Sequence, residues 1–196
     1  MTDRLPDASL DRLFRTARTH NGWSSEPVPE ALIHELYELA KWGATSGNCC
    51  PARFVFLTTE AAKQRLAPHM SSGNRAKTLQ AQVNVLIAYD LNFAERLPEL
   101  FPQNPGAAAW FADPAVAQET ALRNGSLQGA YLMLAARSLG LDCGPMSGFN
   151  IEGVNQEFFA GTSWRINFIC NLGHGTDEKL YPRNPRLDFA DACAIL

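Results

Sequence analysis

The sequence has no excess of positive charge and no long hydrophobic run. A total of 17 Lys and Arg residues against 20 Asp and Glu gives a formal net charge of −3 at pH 7, so we expect neither nucleic acid nor an anionic membrane as a partner. The N-terminus carries no apolar signal segment, and the richest apolar stretch, GAYLMLAARSLGL, is interrupted by Arg137 and too short to span a bilayer. These absences predict a cytoplasmic protein.

Paired cysteine motifs are also missing. The five cysteines include no C-x-x-C pair, so their spacing indicates neither a zinc site nor a redox dithiol, and we expect no bound metal. Cys49 and Cys50 are adjacent and could only close a strained ring. A catalytic cysteine needs a neighbouring cation or His to lower its pKa, so we interpret both as small loop residues. A hydrolase that uses one of them with a distant His stays open as a minor alternative.

The signatures of several large enzyme classes are absent. The sequence contains no G-x-G-x-x-G after a predicted strand, no G-K-[ST], no H-E-x-x-H and no G-x-S-x-G. Rossmann, P-loop, zincin and α/β-hydrolase proteins are therefore disfavoured.

Helical and strand patterns alternate along the 196 residues, a length that suits one domain and is short for two. Helices are predicted at 10–17 with Ser9 as the N-cap, after Pro29 as far as Gly43, and at 60–66, 74–80, 119–139 and 152–159. Strands are predicted at 53–59, 83–90 and 164–173, with an irregular insert at 98–115 and a loop at 140–149. This order predicts a single α+β domain, residues 1–196, in which helices cover both faces of a sheet.

Side chains that suit a phosphate site are concentrated in loops and at helix ends. Guanidinium, ammonium, amide and hydroxyl groups are the usual donors to phosphate. Each residue alone is also typical of a solvated surface, so composition by itself does not choose between the two interpretations. The candidates are Arg18, Thr19, His20, Ser46, Asn48, Asn74, Lys77, Arg183 and Arg186.

Taken in order, these segments resemble the nitroreductase family of FMN-dependent oxidoreductases. RTHNGW (18–23) resembles the family's N-terminal stretch that meets the FMN phosphate and ribityl chain. WGATSGNCCPARF (42–54) resembles the small-residue segment that lies against the flavin. NRAKTLQ (74–80) matches the Asn and Lys that contact the flavin pyrimidine, GPMSGF (144–149) matches the loop that faces flavin N5, and PRNPRL (182–187) matches a C-terminal phosphate clamp.

The resemblance implies a nitroreductase-like fold with a central mixed sheet, assembled as a homodimer with FMN at the subunit interface. Residues 45–53 would reach over from the partner subunit, and NADH or NADPH would act as a transient reductant. Lys77 would favour the anionic reduced flavin, and the backbone N–H groups of Ser147 and Gly148 would face N5. The implied FMN contacts are Arg18, Thr19, His20, Ser46, Asn48, Asn74, Lys77, Pro145, Met146, Ser147, Gly148, Arg183 and Arg186.

RTHNGW, KWGATSGNCCPARF and LGLDCGPMSGF are more particularly similar to the branch that contains the malonic semialdehyde reductase of pyrimidine-ring degradation. This likeness implies that malonic semialdehyde is reduced to 3-hydroxypropionate by ping-pong hydride transfer through N5. The chain departs from the usual Gln-Pro-Trp, which here reads Cys50, Pro51, Ala52. The alternatives are a general nitro or quinone reductase and a non-enzymatic FMN-binding module. We hypothesise that the aromatic insert at 98–115 sets substrate size.

Overall fold

Strands of the computed structural model, which describes residues 3–196, form two antiparallel sheets. They are β1 (Gly22–Trp23), β2 (Ala52–Leu57), β3 (Val83–Asp90), β4 (Asp142–Met146), β5 (Trp164–Gly173) and β6 (Gly175–Thr176). The main sheet has the order β2-β3-β5-β4, and β1 pairs with β6. Every neighbouring pair in the main sheet is antiparallel, so the expected mixed sheet is wrong. An isolated bridge between Thr19 and Cys143 is parallel.

Helices lie on both faces of the main sheet, as the sequence predicts. They are α1 (Asp7–Leu10), α2 (Glu30–Ala40), α3 (Glu60–Leu66), α4 (Ser72–Gln80), α5 (Leu97–Leu100), α6 (Pro114–Ser138), α7 (Ile151–Phe158) and α8 (Phe189–Ala192). The insert at 98–115 contains the end of α5 and a 3-10 turn at Ala107–Phe111. None of the helices in residues 3–196 combines the length and the hydrophobicity that a bilayer crossing requires.

The central strand β3 supplies both halves of the core. Successive side chains of a strand point to opposite faces, which explains why a strand covered on both sides has a nearly continuous apolar sequence. Ile87 belongs to the cluster that includes Leu132 of α6. Leu86 belongs to the opposite cluster, with Leu66 of α3 and Val154 of α7. The sheet is therefore a rigid layer against which α4 and the loop after β4 are held.

Three predicted boundaries are wrong for local physical reasons. The first helix begins at Asp7 and continues as a π-helical turn at Asp11–Arg15, so Ser9 is inside the helix and is not its N-cap. α6 begins five residues before the predicted Glu119, because the Asp113 carboxylate accepts a hydrogen bond from Ala115 N at 2.8 Å and Pro114 suits the first helical turn.

The predicted loop at 140–149 contains strand β4. Gly144 and Pro145 are poor strand formers, which is why the sequence favours a loop there. β4 lies at the edge of the main sheet, where β5 is its only neighbouring strand, and its outer side carries the isolated bridge from Cys143 to Thr19. Proline is tolerated in an edge strand because the outer side of that strand has no continuous ladder to complete. The loop proper therefore begins at Ser147, after the strand ends.

Candidate active site

Helix α4 and the loop after β4 are joined by the side chain of Asn74. Its amide Nδ2 donates to the carbonyl oxygen of Gly148 at 3.0 Å, and Ser71 N donates to the same oxygen at 3.0 Å. A Cβ at position 148 would lie 2.6 Å from Asn74 Nδ2, so glycine is required for this close approach. Ser147 and Gly148 remain exposed beside Asn74.

Lys77 lies one turn further along α4 and is half-buried. Its ammonium Nζ donates to Asn21 Oδ1 at 3.0 Å. Burial lowers the pKa of Lys77 below the usual lysine value, because removal of water disfavours the charged form. The structure therefore holds a partly desolvated cation at a fixed position.

Two buried asparagines of the sheet support the last turn of α4. Asn84 and Asn171 face each other across β3 and β5, and both are fully buried. Asn84 Nδ2 donates to Asn171 Oδ1 at 2.8 Å and to the carbonyl of Thr78 at 2.9 Å, and Asn171 Nδ2 donates to the carbonyl of Lys77 at 3.2 Å. These bonds fix the backbone that carries Lys77.

Four arginines line one open cavity of about 420 Å³, which we call the arginine cavity. No acidic side chain of residues 3–196 lines it, although the chain as a whole has a net charge of −3. Planar guanidinium groups bind phosphate by two-point contacts. The four are Arg18, Arg137, Arg183 and Arg186.

A second cavity of about 450 Å³, which we call the lysine cavity, adjoins the first. It is lined by Lys77, Gly73, Gln80 and Lys179 among others, and it shares Asn21 and Tyr181 with the arginine cavity. We call these two adjoining cavities together the cleft, with the arginines at one end and α4 at the other.

The outer wall of the cleft is the segment 177–186. Arg18 donates to the carbonyl of Tyr181, and Asn21 Nδ2 donates to the carbonyl of Lys179 at 3.2 Å. One nitrogen of Arg183 donates to the carbonyls of Arg15 at 2.8 Å and Ala17 at 2.7 Å. These bonds link the turn after the first helix to the C-terminal segment.

Thr19 lines the arginine cavity, whereas other predicted contact residues line neither cavity, among them His20, Asn74, Pro145, Met146, Ser147 and Gly148. The His20 ring points to the carbonyl of Thr176, with Nδ1 at 3.1 Å, and so holds the small sheet in place. Met146 is buried, and its sulfur accepts from Thr78 Oγ1 at 3.6 Å. Pro145 is part of the edge strand β4, so it lies before the loop that begins at Ser147. Thr19 bridges to β4 and also lines the arginine cavity.

Ser46 and Asn48 lie far from these residues within one chain. Ser46 N donates to Asn124 Oδ1 at 2.8 Å, whereas the arginine cavity is lined by Arg137 of the same helix. Thirteen residues of α-helix span about 20 Å. Asn48 has a φ of 51°, an uncommon conformation outside glycine. The structure therefore separates this loop from the cleft.

The cysteines show no sign of nucleophilic activation. Burial raises the pKa of Cys49 to about 11, so at neutral pH it is not the thiolate that a nucleophile requires. Cys50 Sγ lies 3.4 Å from Asn48 Oδ1 and 3.7 Å from Thr45 Oγ1. Neither of these two atoms belongs to a cation or a histidine. Cys50 also lines a cavity with His34 and Arg53, and the hydrogen bond from Arg53 goes to the Cys50 backbone carbonyl, at 3.1 Å.

Sequence reasoning missed five residues that build the cleft. Asn84 and Asn171 could have been identified from the sequence. Each interrupts an otherwise apolar strand, and a buried amide must be hydrogen-bonded. Asn21 and Tyr181 adjoin candidate arginines in sequence but carry no pattern of their own. Arg137 is read as an interruption of an apolar helix, and only the fold shows that it faces a cavity.

The cleft combines two kinds of recognition chemistry. Its arginine end suits a phosphate. Its α4 end offers the ammonium groups of Lys77 and Lys179, the amides of Asn21 and Gln80 and the carboxylate of Glu178, which suit a polar aromatic ring. A phosphorylated ligand with a hydrogen-bonding ring system fits this order of groups.

Comparison with known proteins agrees with the fold. A family model described as "Nitroreductase family" matches residues 14–174. A protein named "Putative NADH dehydrogenase/NAD(P)H nitroreductase" from Caulobacter sp. is 56% identical over 193 residues, covering 98% of this chain and 99% of the relative. A protein of the same name from Stenotrophomonas maltophilia is 56% identical over 196 residues and covers 100% of both chains.

Among solved structures, a "putative nitroreductase in complex with FMN" from Exiguobacterium sibiricum superposes with a TM-score of 0.87. It is 19% identical and covers 100% of both chains. At this identity the likeness establishes the nitroreductase-like fold.

Proposed function

The chain belongs to the nitroreductase family, and we propose that it is an FMN-dependent oxidoreductase that carries hydride from NADH or NADPH to a small-molecule acceptor. The observation that carries this proposal is the cleft of two adjoining cavities, with four arginines lining one and Lys77 lining the other, and with Asn74 on the same helix as Lys77. We further propose that residues 1–196 form one FMN-binding domain.

The donor groups of the cleft fit FMN. The arginine cavity would hold the phosphate, and Asn74 and Lys77 would hold the pyrimidine edge of the ring. When bound, FMN supplies the hydride chemistry itself. This explains why the chain needs no catalytic triad and no Rossmann fold.

The chain's own residues would bind the ring and tune its charge. The half-buried Lys77 ammonium favours negative charge at the pyrimidine edge, and its fixed position avoids reorganisation at the moment of reaction. We assign the backbone N–H groups of Ser147 and Gly148 to the reacting side of the ring. Asn21 keeps the Lys77 ammonium in place through its 3.0 Å hydrogen bond.

We propose a homodimer because one chain leaves large apolar side chains exposed on two adjacent helices. Trp42 follows α2 and is 80% exposed, and Leu127 and Tyr131 project from the outer face of α6. The C-terminal tail is also apolar and exposed, at Leu187 and Phe189. A second copy would cover these surfaces. It would also bring its Ser46 and Asn48 to the cleft that they cannot reach within their own chain.

Two acceptor classes are proposed, each with its own support. The names of the curated relatives favour nitro compounds. The likeness of RTHNGW and LGLDCGPMSGF to the semialdehyde-reducing branch favours malonic semialdehyde as the physiological acceptor. In both cases the insert at 98–115 would limit acceptor size, since Trp110 lies against Gly47 of the loop that would face the partner's cleft.

The first experiment is a visible spectrum and a thermal melt of the protein with added FMN. A flavin at 100 times its dissociation constant stabilises by about 2.7 kcal/mol, which for a chain of this size raises the Tm by roughly 5 to 10 °C. Bound flavin should be bleached by NADH or NADPH without air and restored by malonic semialdehyde or a nitroaromatic. A protein that neither binds flavin nor melts later would refute the proposal. Bound flavin that no nicotinamide bleaches would support the non-enzymatic alternative.

A further inference from the structure

We propose that Arg137 is a phosphate-binding residue of the arginine cavity and discriminates FMN from unphosphorylated flavin. The inference rests on the proposed function, since it adds a residue from α6 to the binding site. Neither the sequence motifs nor the family likeness assigns Arg137 a role.

The other three guanidinium groups of the arginine cavity are already engaged in hydrogen bonds within the chain. Arg18 donates to the carbonyl of Tyr181. Arg183 donates to two carbonyls of the first helix and the turn after it, and Arg186 donates to the carbonyls of Asn184 and Pro185, each at 3.0 Å. These bonds build the walls of the cavity and use part of each donor set.

Arg137 is different because its side chain makes one long hydrogen bond within residues 3–196. Its NH1 lies 3.4 Å from the carbonyl of Leu13. A guanidinium carries five N–H donors, so most of those of Arg137 remain available to a ligand in the cavity that it lines. No carboxylate of the described residues lines that cavity to compete for them.

The position of Arg137 also favours this role. It lies in the last turn of α6, a 25-residue helix packed on the sheet, whereas Arg183 and Arg186 lie in an irregular exposed segment. A group on a rigid element loses less conformational freedom when it binds. The carbonyl end of a helix carries partial negative charge that repels an anion, and the Arg137 guanidinium offsets this repulsion.

The substitution Arg137→Gln removes the charge and should leave the fold intact. The hydrogen bond that links the first helix to this turn runs from Arg12 Nε to the backbone carbonyl of residue 137, at 3.0 Å, so it survives the substitution. Arg123→Gln is the matched control, because Arg123 lies on the same helix, is exposed and pairs with Glu119. Arg137→Lys keeps the charge without the planar fork.

The test measures dissociation constants for FMN and for riboflavin, which lacks the phosphate, by quenching of flavin fluorescence. Arg137→Gln should bind FMN about 10- to 100-fold more weakly, the effect of one lost charge-assisted hydrogen bond, with riboflavin changed less than twofold. Arg137→Lys should recover part of the loss, and Arg123→Gln should match the wild type. Unchanged FMN affinity, or an equal loss for both flavins, would overturn the assignment.

A melt in inorganic phosphate separates this inference from the proposed function. If the wild type binds neither flavin, the proposed function fails and the melt alone decides the role of Arg137. Phosphate that stabilises the wild type and Arg123→Gln but not Arg137→Gln supports a phosphate site at Arg137. Equal shifts in all three proteins, or none, would overturn it.

Discussion

Burial affects the Lys77 ammonium in two opposite ways. Desolvation lowers its pKa, yet a partly desolvated ammonium interacts more strongly with a nearby negative charge than an exposed one does. We predict that Lys77→Ala lowers the reduction potential of bound flavin and slows its reduction by NADH or NADPH. One lost charge-assisted interaction corresponds to roughly 30 to 60 mV for a two-electron couple.

The potential is measured by equilibration with a reference dye under anaerobic conditions, with flavin binding confirmed in the same sample. Lys41→Ala is the matched control, since Lys41 is near the surface and pairs with Glu38 at 2.5 Å. An unchanged potential in Lys77→Ala with flavin still bound would show that Lys77 does not tune the cofactor.

Individual side chains of the cleft differ in how far the sequence reveals them. The sequence singles out Lys77 and Asn74 because they lie one helical turn apart in a segment that resembles a flavin contact, and their contact with flavin stays a prediction. Asn21 is hidden, because its role depends on a hydrogen bond across 56 positions of sequence to Lys77. The place of Arg137 in the arginine cavity depends on where α6 ends relative to the first helix. Contacts between distant segments carry no local pattern, and the fold is needed to find them.

The junction between the sheet and α4 depends on the amide pair of Asn84 and Asn171. Replacement of Asn171 by Ala would leave one buried donor of Asn84 without its partner and would remove one of the two donors to the Lys77 carbonyl, which Ala81 N would still reach at 3.2 Å. We predict that Asn171→Ala lowers the free energy of unfolding by about 1 to 3 kcal/mol. It should also weaken flavin binding, because the last turn of α4 is then less well fixed.

Urea denaturation gives the free energy of unfolding. Asn167→Ala is the control on the same strand, because Asn167 Nδ2 donates only to Ser126 Oγ near the surface, at 2.9 Å. We expect that variant to stay within about 0.5 kcal/mol of the wild type. Equal stability of the two variants would mean that the buried amide pair does not support α4.

Secondary structure is predicted best where one sequence pattern dominates a segment. β3 and β5 have the predicted bounds because long apolar runs between turn signals leave no alternative. β4 is missed because Gly144 and Pro145 argue against a strand, and their tolerance depends on an edge position that the local sequence does not reveal. The antiparallel arrangement of the strands likewise depends on how the chain connects them across the sheet. The local residue pattern does not reveal those connections.

A single chain separates the proposed flavin contacts into two groups. Arg18 and Lys77 line the cleft and Asn74 lies on the same helix as Lys77, whereas Ser46 is hydrogen-bonded to Asn124, which lies about 20 Å along α6 from Arg137. On α6, the exposed side chains of Leu127 and Tyr131 lie between Asn124 and Arg137. In the proposed two-fold dimer through this face, each site would be made from both subunits, since the same surface is used twice.

Subunit complementation tests this composite site directly. We predict that Lys77→Glu and Ser46→Tyr are each inactive as homodimers, the first through charge and the second by filling the space that the flavin needs. When the two are unfolded, mixed in equal amounts and refolded together, half of the dimers are mixed and each has one intact site. Activity should therefore return to about a quarter of the wild-type value.

The mixture of Lys77→Glu with Arg18→Glu should stay inactive, because both lesions lie on the same side of every site. No recovery in the first mixture, with mixed dimers confirmed by mass spectrometry, would place both groups in one subunit and contradict the composite site.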